Sequence, residues 1–245
     1  MAAFMRLLAS ERLKLSRSFI WLLVPISPLL ALVLGILANP IEGTPAEQYE
    51  GLYSSMALFH AVLLLPILTG VFAAFVCRYE HAGGGWKQLL ALPISRKSLY
   101  FAKLWLVSEL LIGVQLLFLA AVLITGVVRG LHEIPWDFML LGLLGGWLAC
   151  LPLAALQLWA STGWSSFAAP LTINVMLTLP NILVINSAEY GPFYPWAQPT
   201  IAMLALGSEN YGAFTMPVMN LFMTIIGSLL LFIIGGLVYF RAKEI

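Results

Sequence analysis

Apolar stretches long enough to cross a membrane recur from one end of this 245-residue chain to the other. About 20 consecutive apolar residues carry an α-helix across the hydrocarbon of a bilayer. A helix serves there because all its peptide groups are hydrogen-bonded within the segment. Six spans can be drawn, at 19–38, 54–77, 104–128, 138–159, 167–185 and 218–240. Charged residues make up 9% of the chain, far below the roughly 25% of a soluble domain. The expected fold is an all-α integral membrane protein with six transmembrane helices and a single transmembrane domain over 1–245. The fifth span is irregular, since Pro170 and Pro180 lie inside it and leave carbonyls that need other donors.

The basic residues orient these spans. Arg6, Arg12, Lys14 and Arg17 precede the first, Arg78, Lys87, Arg96, Lys97 and Lys103 lie between the second and third, and Arg241 and Lys243 follow the sixth. Eleven of the 12 Lys and Arg thus fall on one side, with Arg129 alone opposite. The positive-inside rule makes both termini and the 78–103 loop cytoplasmic. The opposite loops carry Glu42, Glu47, Glu50, Glu133, Asp137, Glu189 and Glu209. Charge sorted by loop, with a net value of +1, points to the lipid bilayer and not to nucleic acid. The first apolar run exceeds the 7–15 residues of a signal-peptide core, so no cleavable signal is expected.

Three segments are more than linkers. In 1–18, Phe4, Leu7, Leu8 and Leu15 share one helical arc, with Arg6, Ser10 and Arg17 opposite and Glu11 interrupting the apolar side. This reads either as an interfacial helix on anionic lipid or as a simple topogenic charge cluster. In 186–217, Tyr190, Phe193, Tyr194, Trp196, Tyr211 and Phe214 suit a membrane interface, while Pro192, Pro195 and Pro199 forbid a continuous helix. A short apolar helix over 200–206, closed by Gly207, would make this an outer cap, partly re-entrant or surface-lying. Its Tyr194 and Trp196 either touch substrate or belong to an aromatic belt.

The third segment is GGGWKQLLALPISRK, residues 83–97. Trp86, Leu89 and Leu90 recur at i, i+3 and i+4, with Lys87 and Gln88 pointing away. Glycines at 83, 84 and 85 loosen the chain before this helix, Pro93 stops it near Leu92, and Ser95 can cap the next one. A helix this short is unstable alone in water. It needs a surface: its own bundle, lipid headgroups, or a groove in a soluble partner.

Chemical motifs are sparse. There is no GxxxxGK[ST], so ATP driving this chain would be bound by another polypeptide. Cys77 and Cys150 stand 73 residues apart, and His60, His81 and His132 are scattered without HExxH, which argues against metal. GWSS at 163–166 would need a histidine base, yet His60 and His132 are expected at the opposite end and His81 in the basic loop. No enzymatic activity is expected. Glu109 is the one carboxylate inside a span, reading either as a substrate or proton site or as a partner for Lys103, the N-terminal helix or a subunit interface. Gln115, Gln157 and Asn174 either line a polar seam or bridge helices. Gly142, Gly145 and Gly146 suit close helix packing.

A charged N-terminal helix with Glu11 and Lys14, followed by RYEHAGGGWKQLLALPISRKSLYFAK after the second span, resembles permease subunits of type-2 ABC exporters. Within them the likeness is to the small six-span permeases of lantibiotic and bacteriocin immunity. The resemblance implies a bacterial plasma-membrane protein with no cofactor of its own, joined by nucleotide-binding ATPase subunits that hold ATP and Mg and by a second, identical or related permease. It also implies a coupling helix at 86–92 seated in a cleft of the ATPase, with Arg78, Glu80, Arg96 and Lys97 beside Trp86, Lys87, Gln88, Leu89, Leu90 and Leu92. Trp86 has the character of an interface anchor, and partner docking is expected over self-packing. The outer segment before the last span would be re-entrant. The implied cargo is an amphipathic antimicrobial peptide. Alternatives are an ABC exporter of lipid or another small cargo, and an ATP-independent secondary transporter or scaffold, against which the single ionisable group in the spans counts.

Overall fold

The computed structural model describes residues 2–16, 18–39, 42–81, 84–187, 189–205 and 218–243. Five of its helical segments are long and apolar enough to cross a membrane: Phe19–Leu37, Pro45–His81, Arg96–Val128, Trp136–Gly163 and Met219–Ala242. No strand occurs among the described residues. The expected fifth span is the shorter apolar stretch Ala168–Val184. Pro180 breaks it into two pieces, because a proline cannot donate to the preceding turn.

In chain order the helices are α1 (Ala2–Ser16), α2 (Ile26–Leu37), α3 (Pro45–Phe59), α4 (Leu65–His81), α5 (Gly85–Leu90), α6 (Arg96–Val128), α7 (Trp136–Gly163), α8 (Ala168–Thr178), α9 (Asn181–Val184), α10 (Gln198–Ala205) and α11 (Val218–Ala242). The central helix α6 packs against α1, α2, α4 and α7, and α7 packs in turn against α4, α10 and α11. α1 seats Leu7, Leu8 and Leu15 in the protein core. These leucines therefore face the bundle, while Met5 and Leu13 on the same helix are exposed.

α3 and α4 form one rod with a single π-helical turn between them, His60–Leu64. Pro66 follows that turn and has no N–H to offer the carbonyl of Val62. Asn181 Nδ2 donates to that carbonyl instead, at 2.8 Å. Asn174 Nδ2 donates to the Pro66 carbonyl at 3.0 Å, an approach that Gly70 permits because a Cβ there would lie 2.2 Å from this nitrogen. Asn181 of α9 thus satisfies the π-helical turn, while Asn174 of α8 bonds the first turn of α4. α10 meets α7 at Gly142 and Gly146, where a Cβ would collide with Met203. That places Met203 against the third turn of α7, about 15 Å from its start at 1.5 Å per residue.

Candidate functional site

Lys103, in the second turn of α6, is the centre of the basic end. It is only 1% exposed, and its Nζ lies 2.8 Å from Glu11 Oε2 on α1 and 2.8 Å from Glu80 Oε2 on α4. The Glu80 contact is an ion pair lying off the hydrogen-bond direction. Nζ also donates to the Val76 carbonyl at 2.7 Å. Lys14 closes the cluster by pairing with Glu11 and, at 2.7 Å, with Glu80 Oε1. Two cations face two carboxylates, so charge balance offsets part of the desolvation that burial imposes. Burial raises the Glu11 carboxyl, but Lys103 and Lys14 outweigh it and hold the group below its ordinary value.

α5 rests on this cluster. Gly84, at φ 75°, lets the chain turn into the helix, a conformation costly for residues with a side chain. Trp86 then points inward and is 6% exposed. Its ring lies 5.2 Å from that of Phe240 and 5.5 Å from that of His81, with Lys103 Nζ 5.8 Å above it. Trp86 Nε1 donates to His81 Nδ1 at 3.2 Å, which assigns the imidazole proton to Nε2, and Nε2 donates to the Ser161 carbonyl at 2.7 Å. With both nitrogens engaged, His81 is no base for Ser165. The expectation of Trp86 as an anchor in a partner's pocket is corrected: the protein's own bundle supplies the pocket.

The remaining expected coupling residues divide by direction. Leu89 is half-buried against the core, while Lys87, Gln88, Leu92 and Lys97 are exposed. The side chain of Leu90 lies outside the described residues. Glu80 is buried in the ion cluster and offers no outer surface. Arg96 donates to the carbonyls of Phe240 (2.7 Å), Arg241 (3.0 Å) and Lys243 (2.8 Å), closing the C-terminal end of α11. Ser95 caps α6 by accepting from Ser98 N at 3.0 Å. Arg78 leaves the cluster and stacks near Phe75 and Phe167.

Glu109 pairs with Arg12 of α1, whose Nε donates to its Oε2 at 3.0 Å. Hence α1 is clipped to α6 at two points. Gln115 and Asn174 do not share one seam. Gln115 Oε1 lies 3.3 Å from His60 Nε2, and His60 Nδ1 lies 2.6 Å from Ser27 Oγ, with the imidazole stacked 4.1 Å from Phe118. Asn174 Oδ1 accepts from Trp196 Nε1 at 2.8 Å. Gln157 is buried in α7 apart from both networks. In the segment 186–217, Trp196 is buried and the Tyr194 hydroxyl donates to the Leu177 carbonyl, so both fix α8 to the chain that follows it. Tyr190 and Phe193 are exposed. Gly207, Tyr211 and Phe214 lie outside the described residues.

The seat of α5 on Lys103, His81 and Phe240 is the part of the site that sequence reading does not give. A lysine eight residues into a helix with apolar neighbours is the available signal, which sequence reading uses for topology and as one candidate partner of Glu109. Among the described residues, no group of three or more His, Cys, Asp or Glu forms a metal site. A cleft of about 550 Å³ opens between α6, α7 and α11, walled by Phe101, Trp105 and Trp147 and bordered by Lys97 and Ser98.

A bundle of apolar helices tied at its basic end to a short surface helix defines a polytopic membrane protein. Residues 7–181, more than half of the chain, match the family described as ABC-2 family transporter protein, and the chain belongs to that family. No curated protein matches it significantly. It is therefore a multi-pass transmembrane permease subunit of an ABC exporter, a transport subunit and not a P-loop ATPase, in a family that associates with ATPase subunits.

Proposed function

We propose that this permease expels an amphipathic antimicrobial peptide from the bacterial plasma membrane, driven by ATPase subunits that dock on α5. The carrying observation is the seat of α5: Trp86 fixes the helix to the ion cluster while Lys87, Gln88 and Leu92 face outward. A helix held this way transmits a displacement instead of melting. Two permease subunits, identical or related, would join two ATPases, which bind the ATP and Mg. The topology is six spans with both termini on the cytoplasmic side. Ala168–Val184 serves as the fifth span and the segment containing α10 as the re-entrant outer cap. The cleft beside Lys97 supports an amphipathic cargo, because its apolar walls end at a charged rim.

The test uses a tagged full-length chain recovered from its native membrane in mild detergent. Wild type brings down a stoichiometric P-loop ATPase. Lys87→Glu with Leu92→Asp reduces that recovery at least tenfold without moving the unfolding midpoint of the permease, as expected when rim charge and an exposed apolar contact are reversed. Equal recovery from the double variant removes α5 as the docking element. For cargo, cells carrying the intact complex survive a lantibiotic that kills cells carrying the double variant. Equal survival excludes that peptide class.

A further inference from the structure

A second cavity, about 210 Å³, lies at the basic end where α4, the end of α7 and the start of α8 converge. Neither the ion cluster nor the outward face of α5 uses it. Arg78, His81, Ser161, Ser165, Ser166 and Phe167 line it. Arg78 is held by stacking: its guanidinium carbon lies 5.8 Å from the Phe75 ring centre and 5.7 Å from that of Phe167. Those rings fix the cation without neutralising it. Among the described residues no carboxylate pairs with Arg78. Glu80, two residues further along α4, is engaged by Lys103 and Lys14.

Ser161 supplies the independent observation. It is 2% exposed and its hydroxyl has no hydrogen-bond partner. A buried hydroxyl left unpaired is costly, so the Ser161 hydroxyl leaves hydrogen-bonding capacity at the cavity for a bound group. The carbonyls ending α7, which would repel an anion, are already covered. Ser161 O accepts from His81 at 2.7 Å, and Thr162 O and Gly163 O accept from Lys243 Nζ at 2.6 and 3.3 Å. Across the cavity Phe167 and Pro170, at the uncapped start of α8, complete the wall, and Pro170 has no N–H to offer.

The geometry points to a binding site for a phosphate group at this cavity, held by Arg78, the Ser161 hydroxyl and the hydroxyls of Ser165 and Ser166. A tetrahedral anion with several acceptor oxygens suits donors converging from α4, α7 and the connection between α7 and α8, and a guanidinium binds it in two-point fashion. The phosphate can come from an anionic lipid headgroup, for which exposed Trp164 lies beside the site, or from free inorganic phosphate. One hydrogen bond, from Trp86 to His81, joins the site to α5. The site stands whether or not α5 docks an ATPase.

Full-length protein in non-ionic detergent is titrated with dioleoylphosphatidylglycerol, dioleoylphosphatidylcholine and inorganic phosphate. Native mass spectrometry counts bound ligand, and the unfolding midpoint reports the fold. Wild type binds phosphatidylglycerol in preference to phosphatidylcholine, or binds phosphate directly. Arg78→Gln and Ser161→Ala each weaken that binding about tenfold, the scale of one hydrogen bond to a charged group. Ser161→Ala without ligand melts no lower than wild type, because it removes an unpaired hydroxyl. This variant decides the matter even if Arg78→Gln misfolds. Phosphate binding that both variants lose assigns the site to the free ion. Phosphatidylglycerol binding that excess phosphate does not displace assigns it to the headgroup. Failure of wild type to bind either ligand, or undiminished binding by Ser161→Ala, overturns the proposal.

Discussion

At the scale of the residue, Lys103 governs the basic end because it neutralises two carboxylates that are each 2% exposed. Lys103→Met should cost about 3–5 kcal/mol, the usual consequence of leaving a buried charge without its partner. Chemical unfolding in detergent checks this, and a loss below 1 kcal/mol would mean that Lys14 suffices alone. The same cluster sets an acid limit. Glu11 is held below its ordinary value of 4.5 in the folded protein, so its contribution is complete above that pH. It is lost as the pH falls through the lower, folded value. Unfolding midpoints measured from pH 7 downward should therefore drop below about pH 4.5, and Glu11→Gln should flatten that drop. Glu11 looked like a defect when α1 was read as an amphipathic stripe. Sequence spacing placed it on the apolar arc, and only the fold shows that a lysine 92 positions away waits there.

At the scale of the element, local rules were legible and non-local repair was not. The cap of α6 at Ser95, the stop before Pro93 and the turn at Gly84 follow from residues adjacent in sequence. The break within Ala168–Val184 was visible as prolines, yet its purpose depends on α4. Pro66 orphans the Val62 carbonyl, and Asn181, 119 residues away, satisfies it. Periodicity carries no information about such a pairing. Asn181→Leu should destabilise by about 1–2 kcal/mol, since polar contacts between membrane helices are modest in worth. Pro66→Ala should recover part of that loss by restoring an N–H to the same carbonyl. Additive losses in the double variant, read from unfolding midpoints, would show that the contact of Asn181 with the Trp196 carbonyl matters more.

At the scale of the whole molecule, the basic end joins elements far apart along the chain. Glu11 and Lys14 bring α1, Glu80 brings α4, Lys103 brings α6, Trp86 brings α5, and Arg96 holds the end of α11. Composition and charge sorting announced a helical membrane protein, because hydrophobic length is read one segment at a time. The direction of Trp86 was hidden, since an aromatic anchor fits a partner's pocket and its own bundle equally well on sequence grounds. With Trp86 facing inward over Lys103, the proposed docking on α5 predicts that a push on its outer face reaches α6 through the ion cluster. Glu80→Gln combined with Lys103→Gln removes one charge of each sign and leaves Glu11 paired with Lys14, so the fold should persist while the link loosens. Spin labels at Lys87→Cys and Glu133→Cys, on a background with Cys77 and Cys150 replaced by serine, report the distance across the molecule. With the ATPase bound, ATP should shift that distance in the otherwise unaltered protein. The double variant should bind the same ATPase with no such shift. An equal ATP-induced shift in both would mean that motion enters the bundle by a route other than the cluster, with α11 through Arg96 and Phe240 as the next element to label.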